Sequence, residues 1–513
     1  MAVESQQTSS SGSHSSFQRA LLLTGAKIFG IVFSFIIPMY LGRHLEVETY
    51  GTYKQVMLIY GFAQLALHLG FDDSVFYFIR WDRKNFPLYS LNSLIFNIAT
   101  TGMVAFALGF FREGIANLLN NPDLAQYLPW LGVLIVFTQC SVQLEGFLIN
   151  LDRFRTRLYL DAGTELLKAL AIMGAFWFFD SLLIALFLLI GLMVLRWLWM
   201  LTIMHSHKVS AGIRYRDSWP LFMTQARYGL PLGISRIVQN IMNMENLFIS
   251  SFFNITQFTY YSVGCFENPL INSARISLYE VANIELIDQV KNKNYKGAVE
   301  VWQKMTKKLL LIVIPFTVYM MFFSRELIVF IFSDKYLESV PYFTIFNLYI
   351  LLASLNPEPL FRSTSHSGAA LKLRIGGALL GLSLIFAGAY WGGPMAVLWG
   401  KVVATGIVNI SGLIIGAKFF KSRVYQLFLW RDIGLTIGLS VVLSFGVRLG
   451  FSNITWHPFW ILAASFSLYF IALFVFAVRT KLINEEEYAF LVAKLKGVQN
   501  RVARLLGREV LRG

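Results

Sequence analysis

Charge is scarce in this chain: Asp, Glu, Lys and Arg make up 14% of its 513 residues, while 56% are hydrophobic. That balance excludes a soluble enzyme carried on one anchor and describes a polytopic membrane protein. Long polar connections are missing too. None between apolar stretches exceeds about 25 residues, whereas a soluble domain starts near about 50. Cysteine is confined to Cys140 and Cys265, both inside apolar stretches, so neither a disulfide framework nor a metal site is implied. There is no GxxxxGK[ST] phosphate loop, which argues against an ATP-driven pump. No HExxH and no nucleophile elbow occur, and the expectation is a protein that is not an enzyme. Asp72-Asp73 lacks the surrounding soluble fold of a nucleotide-sugar metal site and reads as a solvated helix end. Residues 1–18 are Ser-rich without the basic-then-apolar pattern of a signal peptide, and read as a disordered cytosolic tail.

What fills the chain instead is apolar sequence. Roughly 20 apolar residues cross the hydrocarbon core, and fourteen stretches satisfy that: roughly 20–41, 56–78, 87–111, 128–150, 158–179, 182–204, 228–251, 258–284, 309–332, 342–361, 375–391, 394–417, 432–448 and 459–478. With both termini inside, the cytoplasmic segments hold 32 Lys and Arg. Six more lie at the external side, in connections or at the outer ends of spans: Arg43, Lys54, Arg112, Arg325, Lys335 and Arg448. This is the positive-inside asymmetry, and it sets the orientation. The net charge of +15 is thereby explained by topology and by an anionic inner leaflet, and no nucleic-acid partner is expected.

Spans one and seven look like copies. Tyr50-Gly51-Thr52-Tyr53 follows the first and Phe258-Thr259-Tyr260-Tyr261 the other. Matching Tyr53 to Tyr261 carries Lys27 to position 235, beside Arg236. Six spans separate the copies, so the halves share one orientation, related by an axis along the membrane normal. The expected division is an N-lobe at 19–222, a C-lobe at 223–421, two extra spans at 422–480 and a tail at 481–513. In that tail Tyr488, Leu491, Leu495, Val498, Val502 and Leu505 alternate with Lys and Arg. The pattern fits a basic amphipathic helix on the inner membrane surface, or a short coiled coil with a partner.

Four stretches also resemble the oligosaccharide-lipid flippase branch of the multidrug, oligosaccharidyl-lipid and polysaccharide exporter superfamily. Ile37-Pro38-Met39-Tyr40-Leu41-Gly42 with Glu48-Thr49-Tyr50-Gly51-Thr52-Tyr53 is similar to the family's opening motif. Tyr228-Gly229-Leu230-Pro231, Tyr261-Ser262-Val263-Gly264 and the run from Ser324 to Tyr336 follow in the family's order. Ser333 replaces a family glycine, and Glu245 stands for the acidic residue late in span seven. The resemblance implies an all-α fold of about fourteen helices, two six-helix lobes plus two. It further implies a flippase that moves an undecaprenyl-diphosphate-linked oligosaccharide across a bacterial inner membrane by alternating access. Its partners would be that lipid, membrane lipids and other polysaccharide assembly proteins, with no bound cofactor.

Charges inside spans mark function, because each costs about 2.5–3.5 kcal/mol at a helix centre. Lys27, Lys168, Arg196, Arg236 and Arg275 all fall roughly 10–15 Å from the cytoplasmic end at 1.5 Å per residue. Together they suit a diphosphate site around a wet cavity. Plainer readings stay open: Lys27 can snorkel, Lys168 can pair with Glu165, and Arg275 can form a structural bridge. Lys401, Glu245 and Glu267 lie in the outer halves. Glu245, Glu267 and Glu358 are the candidates for coupling to a proton or sodium gradient. Pro231 and Pro315 mark hinges or helix starts, while Pro357 and Pro359 break span ten. The rivals are a multidrug exporter of the same superfamily, a membrane polysaccharide polymerase or ligase, and a scaffold for assembly enzymes.

Overall fold

A backbone in hydrocarbon must satisfy its own polar groups, so spanning segments of this composition can only coil or close into barrels. The computed structural model shows coiling: no strand occurs among the described residues. These are residues 35–482, except 68, 72–73, 76, 79–84, 151–153, 207–217, 241–243, 365 and 455. Lys27, Asp72-Asp73, the serine-rich start and the amphipathic tail lie outside them.

In the first half, α1 (35–44), α2 (Val47–Leu67), α3 (Phe86–Phe110) and α4 (Arg112–Leu118) lead to a 3-10 turn at Pro122–Gln126. Then come α5 (Leu128–Asn150), α6 (Phe154–Phe179) and α7 (Leu182–Ser206). The second half runs through α8 (Ser218–Asn240), α9 (Glu245–Phe252), α10 (Ile255–Gly264), α11 (Pro269–Lys291), α12 (Tyr295–Phe322) and α13 (Ser324–Ile331). A second 3-10 turn at Asp334–Ser339 precedes α14 (Val340–Ala353), α15 (Glu358–Ser363), α16 (Ser367–Trp391) and α17 (Gly393–Phe419). Finally, α18 (Trp430–Phe451) and α19 (Pro458–Arg479) close the described chain. Nine stretches among the described residues, with Asp334–Ser363 taken as one across its break, are long and apolar enough to cross a membrane, so this is a multi-pass membrane protein. The expected fourteen are not completed by these nine. Span one begins outside the described residues, and several expected spans are divided into shorter helices.

The internal repeat is visible in the element boundaries. α1 ends at residue 44 and α9 at Phe252, and α2 starts at Val47 as α10 does at Ile255, each pair 208 residues apart. Further on the separation is 212: Phe110 with Phe322, Arg112 with Ser324, Pro122 with Asp334, Leu128 with Val340, Phe179 with Trp391. Each half thus repeats a long helix, a short helix, a 3-10 turn and three more spans.

The residues form two compact units, Met1–Leu270 with Ile331–Tyr342 and Lys372–Ala404, and Ile271–Phe330 with Phe343–Leu371 and Thr405–Gly513. In the first, α5 packs between α3 and α7, and α6 lies against α7. In the second, α18 is laid along α12 and α19 along α18. Tyr319, Phe323, Tyr469 and Leu473 form a core there. The Tyr469 hydroxyl donates to the Pro315 carbonyl at 3.1 Å, and Tyr319 bonds Ser465 at 2.9 Å. Ion pairs Lys307–Asp432 (2.8 Å) and Arg448–Glu326 (2.6 Å) pin α18 at both ends. The two extra spans are therefore integral to that unit.

Pro231 and Pro315 lie inside continuous helices, so neither marks a helix start. Span ten breaks as its prolines require: α14 stops at Ala353 and a new helix begins at Glu358. Tyr279 fills that break, its hydroxyl donating to the Ser354 carbonyl at 2.5 Å and accepting from the Asn356 N–H at 3.1 Å. Asn409 caps the Leu352 carbonyl at 2.9 Å. Two interruptions were not expected. A helix starts afresh at Glu245, and Cys265 to Asn268 is non-helical within expected span eight. Asn268 holds the restart there by accepting from the Leu270 N–H at 2.9 Å.

Candidate functional site

Repeat-equivalent residues touch each other in the first unit. Gly51 of α2 meets Thr259 of α10 so closely that an added Cβ would overlap the threonine hydroxyl and lie 2.9 Å from Ile255 Cδ1. One turn earlier the equivalent pair Thr256 and Glu48 is hydrogen-bonded at 3.4 Å across the same 208 residues. Contact between equivalent positions is what a two-fold axis through that contact produces.

Around this point the motif stretches converge into a seam. Gly42 leaves room for Phe332, whose Cδ1 would stand 2.7 Å from an added Cβ. Tyr50 packs on Phe332 and Tyr336 with ring centroids 6.3 and 5.9 Å apart, and Tyr260 packs on Tyr336 from the other half. Tyr50, Tyr261, Phe332 and Tyr336 are fully buried. Lys335 reaches Glu46 at 3.0 Å. Beside the rings runs a buried amide network. Gln55 donates to the Leu119 carbonyl (2.9 Å) and to Ser250 (2.8 Å), and Asn121 donates to Thr52 (2.9 Å) and Gln55 (2.6 Å). Asn120 donates to the Ser251 carbonyl at 2.7 Å. First-half and second-half elements are thereby joined at helix ends expected to face outward. Sequence reasoning singled out the motifs but not this amide network, whose only signal is polar residues in otherwise apolar helices.

Another close approach explains a further motif. Gly229 and Gly233 sit four apart on α8, the small-xxx-small spacing that lets backbones meet. An added Cβ on Gly229 would stand 2.7 Å from the Gly70 carbonyl oxygen, and one on Gly233 would overlap the Leu69 backbone. Gly70 itself has φ +82°, a conformation that suits glycine.

The expected cations fall into separate groups. Arg196 on α7 bonds Asp161 on α6 at 2.9 Å, and Arg157 joins the other oxygen at 3.3 Å, so two guanidiniums share one carboxylate. Lys168 pairs with Glu165 at 2.8 Å, one turn away on α6. In the second unit Arg275 donates to Asn272 at 3.0 Å, and Arg275 and Glu358 both act electrostatically on Tyr279. Arg236 lies on α8 with its side chain outside the described residues, as Lys27 is altogether.

The acidic candidates differ sharply in setting. Glu245, in the first turn of α9, is buried and bonds Lys401 of α17 at 2.5 Å, also buried. Glu358 pairs with Arg362. Glu267 is exposed, in the non-helical stretch before α11. Cys265 beside it lies within electrostatic reach of Lys401, Glu245 and Lys54. Lys401 and Glu245 were each expected in an outer half, but their pairing was not. Lys54 was assigned to an external connection, yet α2 begins at Val47 and includes it.

This geometry has known counterparts. The lipid II flippase MurJ in an inward closed conformation matches with a TM-score of 0.70 at 14% identity, covering 91% of this chain and 99% of that one. An inward-facing MATE multidrug resistance transporter of the MOP superfamily matches at 0.60 and 13% identity, over 78% of this chain and 98% of that one. A MOP superfamily transporter from Pyrococcus furiosus matches at 0.52 and 13%, over 79% and 95%. At such identities the likeness is one of fold. No curated protein matches the chain. A family described as "Polysaccharide biosynthesis protein" matches residues 40–341. That stretch encloses every seam residue named above and exceeds half of the chain, which therefore belongs to the polysaccharide biosynthesis protein family.

Proposed function

We propose that this protein is a flippase carrying a diphosphate-linked oligosaccharide on an undecaprenyl chain from the inner to the outer leaflet of a bacterial inner membrane, for surface polysaccharide assembly. The observation that carries this reading is the seam between repeat-equivalent helices. It is built from close backbone approach and ring packing, contacts that separate together when two halves rock apart. Family membership and the MurJ-like fold support the choice of substrate class. The basic tier expected from the sequence also disfavours an exporter of cationic drugs, which would favour an acidic cavity.

The lobes are 19–222 and 223–421, with both termini cytoplasmic. The inner cations Lys27, Lys168, Arg196, Arg236 and Arg275 receive the diphosphate, while the lipid tail stays in the bilayer. The protein moves its substrate unaltered, so it is not an enzyme and needs no cofactor. A proton or sodium gradient supplies the drive, through Glu245, Glu267 or Glu358. Partners are the lipid-linked oligosaccharide, membrane lipids and other assembly proteins. In cells lacking the protein, finished lipid-linked units should accumulate in the inner leaflet and surface polysaccharide should disappear. Units that reach the outer leaflet unpolymerised would instead point to a polymerase or ligase.

A further inference from the structure

We propose that the seam is also a carbohydrate site, whose unused hydroxyls take the hydroxyls of the glycan as the halves part. This rests on the transport reading above and names what the seam binds during transfer. Four seam oxygens are closed to solvent and make no hydrogen bond among the described residues: Tyr50 Oη, Ser333 Oγ, Tyr336 Oη and Ser339 Oγ. Both tyrosines and Ser339 are fully buried. A buried tyrosine hydroxyl ordinarily finds a partner, because leaving one unpaired costs stability. Loose packing does not account for them. The amides beside them are paired, Asn121 to Gln55 at 2.6 Å and Gln55 to Ser250 at 2.8 Å. The ring centroids of Tyr50 and Tyr336 stand 5.9 Å apart, so these two hydroxyls belong to one contact between α2 and the second 3-10 turn.

That turn supplies the other two. Ser333, Tyr336 and Ser339 follow one another at a spacing of three, and in a 3-10 turn residues three apart share one side. The Tyr336 N–H donates to the Ser333 carbonyl at 3.3 Å, closing the first of these steps. Burial follows the same pattern, since Asp334, Lys335, Leu337 and Glu338 between them are exposed. Ser333 is costly twice over. Its φ of 122° with ψ of 176° lies where only glycine is at ease, and its hydroxyl is unused as well. Strain of this kind persists where function draws on it. Each hydroxyl offers one donor and two acceptor positions, and each tyrosine adds a ring face. Sugars present the matching chemistry, hydroxyls that donate and accept together with apolar C–H faces that lie on aromatic rings. Placement agrees, because the seam sits at helix ends expected to face outward, where the glycan emerges.

The test uses full-length protein in liposomes with two fluorescent lipids, a polyprenyl diphosphate bearing a disaccharide and the same polyprenyl diphosphate bearing no sugar. The double variant Tyr50→Phe with Tyr336→Phe should slow the glycosylated lipid about tenfold, or about 1.4 kcal/mol in the barrier, and the bare lipid less than about twofold. Its thermal unfolding midpoint should not fall, because the deleted hydroxyls have no partner to lose in the closed seam. Ser333→Gly should raise the midpoint by relieving the backbone, and should slow the glycosylated lipid selectively. Equal slowing of both lipids would mean that the hydroxyls serve opening itself and not the glycan. Glycosylated lipid moved at the native rate would mean that the site does not exist. A lower midpoint in the double variant would mean that the hydroxyls are partnered while the seam is closed. Each of these three results overturns the proposal. Native protein that moves neither lipid would instead defeat the transport reading, and this proposal with it.

Discussion

Glu245 and Lys401 carry the sharpest consequence of burying charge in a membrane protein. Taken singly, each is an intramembrane charge that the sequence exposes. Together they are a bonded pair separated by 156 residues, a relation no periodicity encodes. Removing one partner of such a pair costs about 3–5 kcal/mol, whereas replacing both with apolar residues of similar volume is often neutral. Lys401→Met should therefore lower the thermal unfolding midpoint in detergent markedly. The double change Glu245→Leu with Lys401→Met should return it close to native. Equal damage from single and double variants would mean that the pair is not what stabilises this region. Tyr279 is a second case. Its hydroxyl serves two backbone groups released by the break before Pro357. Tyr279→Phe should cost about 1–3 kcal/mol, read as a lower unfolding midpoint, because buried polar groups lose their partner.

At the scale of elements, the order of helices was legible because apolar length and basic loops both register in sequence. The break of span ten was legible too, through Pro357 and Pro359. The interruption at Cys265 to Asn268 had a signal that was passed over: Asn268-Pro269 initiates turns and biases the preceding residue away from helix. The restart at Glu245 had none, since Asn243, Met244 and Asn246 fit a helix interior without strong penalty. Helix α8 gives the element-scale prediction. Its Gly229 and Gly233 face the backbone of residues 69 and 70, which cannot give as a flexible side chain can. Gly233→Ala should therefore push α8 away from the end of α2 and cost about 1–3 kcal/mol. Thermal unfolding would show this, with Gly102→Ala, whose surroundings are open, as the unaffected comparison.

For the whole molecule, the repeat inferred from four residues at two places proves to run through element after element, at separations of 208 and then 212. Residues of the first and last motif stretches meet in the seam: Gly42, Tyr50 and Gly51 with Phe332 and Tyr336, beside Thr259 of the repeat. Their clustering was hidden in the sequence because each motif alone reads as glycine and tyrosine at a helix end. If the halves must part there for substrate to leave, then joining Gly51 to Thr259 should arrest transport. In a background with Cys140→Ala and Cys265→Ala, the pair Gly51→Cys with Thr259→Cys puts two thiols where an added Cβ on Gly51 already meets the Thr259 side chain, and a disulfide there needs Cβ atoms about 3.5–4.5 Å apart. Oxidised protein in liposomes should translocate lipid at least about tenfold more slowly than the same protein after reduction, equivalent to about 1.4 kcal/mol in the barrier. Each single cysteine should be insensitive to oxidant, which separates the bond from the bulk added at Gly51. Full transport through a demonstrably cross-linked seam would mean that substrate leaves by a route that never separates α2 from α10.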